Sequence, residues 1–439
     1  MKNLILWLAF GACVCLVISC LVIFNFQHNE SPPSQVQPVQ IETHSADASP
    51  VAVPEPSPRA VSFYHSNMLL IAAIILWNLL IPLGFLFTGY SAKLRSWAER
   101  RARQWYFSYA VYCTAFCLIY FLLLAPLAYY GGFIHLHHYD LSNQSFSRWL
   151  SNSVKGAATT LLIGLAAGWV PFFMIKKTPR RWWLYVGLLA PLYLCFMMWI
   201  KPVLIDPLYY KFTPMQDKAL EAKVLAEAAR VGIQGGRVYQ VNISVDTRRE
   251  NAYVTGFMGT KRIVFWDTLL RNMNDDEVLF VAGHEMGHYV LWHVVKGIAF
   301  ESFLILASLY AAYRLAGPVI GRFKDIWGFS TPSDFAALPL GVLAFWLFCF
   351  VDLPIYMAFS RHLEHEADRF GLELSHENHA AAAAFVKLIQ TDLGIPRPGA
   401  IPMIWFGSHP CIADRIEFCN TYRPWETGQP SKYEEYMKP

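Results

Sequence analysis

The sequence predicts a mainly α-helical, polytopic membrane protein of about seven spans that carries a small α+β domain. Three observations lead there. Long apolar runs recur along 439 residues that are 55% hydrophobic and only 15% charged, a composition too apolar for an ordinary soluble chain. A polar stretch with mixed helix and strand patterns interrupts those runs between 206 and 296. Within it, His284-Glu285-Met286-Gly287-His288 lies in an apolar segment with helical character.

The formal charge of +4 is small, and the basic residues gather in short loops between apolar runs. That distribution suits a chain threaded through a bilayer, and no nucleic-acid partner is expected. Of nine cysteines, seven sit in apolar runs and only Cys411 and Cys419 in the polar C-terminal part. No CxxC spacing occurs, so neither a disulfide framework nor a thiolate metal site is indicated.

Taken in order, residues 1–26 hold an apolar run at 4–24 behind Lys2, long enough to span. A signal peptide is the alternative, and Val17-Ile18-Ser19-Cys20 resembles a lipoprotein cleavage box. The apolar Leu21-Val22-Ile23-Phe24 that follows favours a retained anchor. Residues 27–62 are rich in Pro, Gln, Ser and Glu and read as a disordered linker. Four spans are expected within 63–205, near 64–90, 105–130, 154–175 and 182–205, with Trp and Tyr crowding their ends. In 206–296, Thr213 with Gln216 reads as a helix start, and the helix stops near Gly232. Short strands follow at 237–245, 251–257 and 261–266. Asn274 and Glu277 form the signature of a capping box for the helix bearing the two histidines. A transmembrane hairpin at 297–359, with spans 297–316 and 338–359, separates this unit from 360–439, where helices are expected at 363–374, 377–392 and 411–421.

On a helix, residues four apart share a face, so His284 and His288 can grip one Zn²⁺ while Glu285 handles the proton of a water beside it. A catalytic zinc takes a third protein ligand. Glu364 and Asp368 are also four apart on an expected helix, so Glu364 can ligate while Asp368 holds a ligand imidazole in its tautomer. Glu366 points elsewhere, and His365 is off that face. Two spans separate His288 from Glu364, and an even number of crossings returns the chain to the same membrane side. His293, nine residues beyond His284 on one continuous helix, would lie on the opposite face as a non-ligand. His135, His137 and His138 read as a wet interfacial loop, with adventitious metal binding by the tight cluster as the alternative.

These pieces, with Asp206-Pro207-Leu208, Lys211-Phe212-Thr213-Pro214, Asn251-Ala252-Tyr253, Ser360-Arg361 and Ser408-His409-Pro410 with Arg415, resemble the integral-membrane zinc metalloproteases that include the type I CAAX prenyl proteases and, more distantly, the HtpX-type proteases. Leu141-Ser142-Asn143-Gln144-Ser145 resembles a loop of the same family, and the likeness spans about residues 64–425. It implies a gluzincin-like catalytic domain with one Zn²⁺ per chain on His284, His288 and Glu364, and Glu285 as general base. It further implies that Asn251, with Ala252 and Tyr253, meets the substrate backbone, and that His409, together with Arg415, stabilises the oxyanion or holds the site together. Asp368 and Arg415 would support the ligands. The expected partners are a peptide or protein substrate and the bilayer, in CAAX-type processing or in membrane-protein quality control. A catalytically silent zinc-binding membrane protein is the alternative, and the intact Glu285 argues against it.

The loops at 91–104, 176–181 and 317–337 carry Lys93, Arg95, Arg100, Arg101, Arg103, Lys176, Lys177, Arg180, Arg181, Arg322 and Lys324. All three lie opposite the catalytic segments. The positive-inside rule then turns the site away from the cytoplasm, whereas the family likeness implies a cytosol-facing site in the cell (inner) membrane.

Overall fold

The computed structural model describes residues 49–437 apart from 234–236 and 256–261. The expected anchor at 4–24 and linker residues 27–48 lie outside the described residues. Among the described residues, six helical segments are long and apolar enough to cross a membrane: Pro58–Phe87, Trp105–His138, Phe146–Lys177, Trp182–Ile200, His293–Trp327 and Phe335–Ser375. Their surfaces are apolar outward as well as inward, with Leu69 at 73% and Leu122 at 72% exposure, the pattern of helices whose solvent is lipid.

The first span, α1 (Pro58–Phe87), starts inside the expected linker, because Ser57 caps it by accepting from Ala60 N and Pro58 fits the first turn. Upstream, Val51 and Val53 pack on the C-terminal lobe. The Asn420 side chain accepts from Val51 N at 3.0 Å and donates to Val51 O at 2.9 Å. Burial of these valines and a paired backbone order a stretch whose composition reads as disordered. Short helix α2 (Tyr90–Arg101) links α1 to α3 (Trp105–Tyr129), which runs on through a π-helical turn. That turn makes the histidine cluster helical and packed: His135 Nε2 lies 2.9 Å from Ser66 Oγ, and His137 contacts the carbonyls of Phe133 and Gln144. Then come α4 (Phe146–Ala167), α5 (Val170–Lys177) and α6 (Trp182–Ile200).

The soluble unit opens with β1 (Phe212–Pro214), then α7 (Lys218–Arg230). Thr213 is therefore a strand residue paired with Gln240, not the helix cap. Asp217 caps α7 instead, accepting from Ala219 N and Leu220 N at 3.0 Å each; its carboxylate is a stronger acceptor beside the helix's positive end. Strands β2 (Arg237–Val241), β3 (Ala252–Thr255) and β4 (Arg262–Trp266) complete a sheet of order β1-β2-β4-β3. β3 runs antiparallel to β4, with Ala252 opposite Phe265, and forms an edge of the described sheet.

After α8 (Asp267–Asn272), helix α9 (Asp275–Val290) starts with the predicted box: Asn274 accepts from Glu277 N, and Glu277 accepts from Asn274 N. α10 (His293–Trp327) and α11 (Leu338–Ser375) are the transmembrane hairpin. α11 runs 38 residues without a break, so one rigid rod carries both a span and the expected helix of Glu364. α12 (Asn378–Thr391), α13 (Ala400–Phe406) and α14 (Ile412–Thr421) close the chain around α9. One core joins Leu220, Val224, Ile263, Phe265, Val278, Met286 and Phe370. It fastens the sheet to α9 and α11.

Candidate active site

The site forms where α9 packs along the C-terminal half of α11. His284 and His288 point the same way from α9, and their Nε2 atoms lie 3.1 Å apart. Glu364 enters from α11, with Oε2 3.3 Å from His284 Nε2 and Oε1 3.5 Å from His288 Nε2. These donor atoms all lie within 4.8 Å of one another, close enough to share a metal ion. Glu364 Oε2 is buried without a properly aligned hydrogen bond, although His409 Nε2 stands 3.1 Å away. Two imidazoles and one carboxylate whose free atoms converge in this way fit a zinc-type ion.

Electrostatics favour positive charge here. Burial opposes it at His284, yet the contacts with Asp368 and Glu364 carry that imidazole up to about 10. The field that holds this proton would also hold a divalent cation. The Glu285 carboxyl is half-buried beside the two histidines. Burial pushes its pKa above the usual carboxylate range, against the pull of His284 and His288. A raised pKa makes the carboxylate a stronger base than an ordinary glutamate.

Asp368 Oδ1 lies 2.9 Å from His284 Nδ1. Arg415, buried on α14, donates to both oxygens of Asp368, Nε to Oδ2 at 2.8 Å and Nη2 to Oδ1 at 2.6 Å. Its guanidinium also rests 4.0 Å over the Phe385 ring. Arg415 therefore braces Asp368. His409 sits between α13 and α14, its side chain 48% exposed, and its Nδ1 is 2.8 Å from Ser408 Oγ. Asn251 precedes edge strand β3; its side-chain oxygen accepts from Ala252 N at 2.8 Å and its carbonyl from Trp266 N at 3.0 Å. The Ala252 methyl is buried in the core, while Tyr253 is half-buried on the other face of the strand. β3 itself packs against α9.

Three features escape the sequence reading. Arg361 donates to the carbonyls of Met403 at 2.8 Å and Gly407 at 2.7 Å, tying the loop that carries His409 to α11. Its place in the Ser360-Arg361 pair gave only a family signal. Gly283, Gly287 and Gly371 let α9 and α11 approach closely, and the small-xxx-small spacing of Gly283 and Gly287 was a readable sign of that approach. The third is His293, expected on the opposite face. A single helix does not run through it: α9 ends at Val290, Trp292 adopts φ 59°, and α10 begins at His293. The break turns His293 back onto His288, at 3.0 Å between Nδ1 atoms.

Comparison with known proteins agrees with this architecture. The pattern of Peptidase family M48 matches residues 214–422, and that of the CAAX prenyl protease N-terminal, five membrane helices, matches residues 60–211. The uncharacterized metalloprotease YhfN of Bacillus subtilis is 35% identical over 84% of this chain and 87% of its own length. The CAAX prenyl protease 1 homolog of Dictyostelium discoideum is 29% identical, covering 66% of this chain and 68% of its own. In fold, the crystal structure of S. mikatae Ste24p superposes with a TM-score of 0.74 at 21% identity, covering 93% of this chain and 99% of that one. With both halves matched and the spans in place, the chain belongs to the M48 peptidase family and is a membrane metalloprotease of the CAAX prenyl protease type.

Proposed function

We propose that this protease is a zinc endopeptidase that cleaves extended peptide segments at the membrane surface, with His284, His288 and Glu364 holding one Zn²⁺ and Glu285 acting as general base. The convergence of the three donor sets within 4.8 Å carries this reading. Zinc, when bound, supplies a Lewis acid that brings the pKa of water towards neutrality. The other steps belong to the chain. Glu285, raised in pKa by burial, takes a proton from the attacking water and returns it to the leaving amine. His409, beside Glu364, donates to the oxygen that gains charge as the amide is attacked. Asp368, locked by Arg415, holds the His284 ring at Nδ1, which leaves Nε2 turned towards His288 and Glu364 as a ligand atom. A substrate strand added to β3, with Asn251 at its start, would be held mainly through its backbone. That mode suits a protease tolerant of sequence, whether it trims prenylated C-termini, as the relatives' names suggest, or clears damaged membrane proteins.

For orientation, the charge count supports a site turned away from the cytoplasm. Lys93, Arg95, Arg100, Arg101, Lys176, Lys177, Arg180, Arg181, Arg322 and Lys324 crowd the segments at the other ends of the spans. Accessibility labelling of a single cysteine placed near residue 430 tests this, and protection from outside reagents contradicts it.

The mechanism is tested by Glu285→Gln. The variant should keep its zinc and lose hydrolysis of a reporter peptide by about 10²–10⁴-fold. Hydrolysis equal to the native chain would remove the proposed base.

A further inference from the structure

Trp292 is the strained point next to the site. Its φ of 59° and ψ of 30° are left-handed, a conformation disfavoured for a bulky side chain. The residue is 65% exposed, so packing of its side chain does not explain the strain. What the break accomplishes is the placement of His293. The ring is 3% exposed, lies 5.0 Å from the His288 ring at 76° between planes, and sets Nδ1 3.0 Å from His288 Nδ1. On its far side, His293 Nε2 is 3.5 Å from Glu366 Oε2. Glu366 is in turn held by Lys432 Nζ at 3.2 Å, Lys296 Nζ at 3.6 Å and Tyr433 OH at 3.2 Å, with His362 Nε2 at 3.7 Å.

We propose that His293 is the positioning residue for His288, the counterpart of Asp368 for His284. The inference rests on the zinc reading above. His288 Nε2 is the atom that converges with His284 Nε2 and Glu364, so the ring proton of a ligating His288 stands on Nδ1. Among the described residues the acceptor beside it is His293 Nδ1, which leaves the His293 proton on Nε2, on the side where Glu366 Oε2 stands 3.5 Å away. The two ligand imidazoles are thus oriented by different chemistry: a carboxylate braced by arginine for His284, and a neutral imidazole backed by a carboxylate for His288. A neutral acceptor fixes the His288 ring without adding another negative charge next to Glu364 and Glu285. Backbone strain at Trp292 accompanies this placement, as expected where local strain serves a site.

The test uses the full chain purified in detergent, stripped and reloaded. Zinc affinity is measured by competition with a chelator, and the absorption bands of the Co²⁺-substituted protein report the ligand field. His293→Phe should weaken zinc binding about 10–100-fold and shift the Co²⁺ bands. His293→Asn, whose side-chain oxygen stands near the Nδ1 position, should recover most of the affinity and the native spectrum. Trp292→Gly, which accepts the same backbone, should bind zinc like the native chain. Native affinity and an unchanged Co²⁺ spectrum in His293→Phe overturn the proposal while leaving the zinc reading intact. Failure of the native chain itself to bind zinc removes the reading on which it rests. Should His293→Phe not fold, His293→Ala decides by the same two readouts.

Discussion

A Cβ built on Gly371 would stand 2.9 Å from the backbone nitrogen of His284. The same contact seen from α9 puts a Gly283 Cβ 3.2 Å from Gly371 Cα. Helices α9 and α11 therefore meet backbone to backbone at His284, about two turns along α11 from Glu364. This is how Glu364, on a rod that continues into the membrane, reaches the paired imidazoles.

Gly371→Ala should force those helices apart. Alanine favours helix by about 1 kcal/mol over glycine, but overpacking typically costs about 1–3 kcal/mol. The expected net result is a lower melting temperature in detergent and weaker zinc retention. An unchanged melting temperature with unchanged zinc would contradict the close-contact account.

Asp368 and Arg415 form a nearly sealed ion pair, with side-chain exposures of 1% and 8%. Removing one partner of such a pair leaves a buried charge and costs about 3–5 kcal/mol. Arg415→Leu should therefore unfold at markedly lower temperature. Asp368→Asn keeps the shape but strips the charge that faces buried Arg415, so it should lower the melting temperature as well, and it should also weaken zinc binding by about 10–100-fold. Thermal melts and chelator competition separate the two effects.

Arg361 joins α11 to the His409 loop through two carbonyls. Arg361→Met should leave zinc content intact and lower kcat by about 10–100-fold through a misplaced donor. An equal loss in a His409→Ala background would show that Arg361 does not act through His409.

Glu227 on α7 is buried, and that burial raises its carboxyl from the ordinary 4.5 to about 8. The folded form thus prefers the neutral acid. Below pH 4.5 both states are protonated and there is no penalty. As pH rises towards 8, the unfolded carboxyl ionises freely and the folded one resists, so stability falls. Glu227→Gln should raise stability by about 1–3 kcal/mol above pH 8 and change it little near pH 4.5. Melts at both pH values check the sign.

Much of this was legible because it depends on local pattern. Apolar run length gave the spans, and Asn274 with Glu277 gave the start of α9. Paired spacings gave the His284–His288 and Glu364–Asp368 faces, and parity of crossings put them on one side. What escaped depends on events that periodicity does not encode. One left-handed residue at Trp292 turned His293 to the face where a continuous helix would not put it. Asp217 outcompeted Thr213 as a cap once Thr213 had a strand partner. Val51 and Val53 became ordered only because a distant helix offered Asn420 and an apolar seat. In each case a tertiary contact overrode a sound local expectation.

The central claim is that one zinc is gripped jointly by His284, His288 and Glu364, and metal analysis across a chelator series tests it most directly. The native chain should retain one zinc per molecule at free-zinc levels where Glu364→Ala, still folded by its melting curve, has lost it. Equal zinc affinity in the native chain and Glu364→Ala would contradict the account.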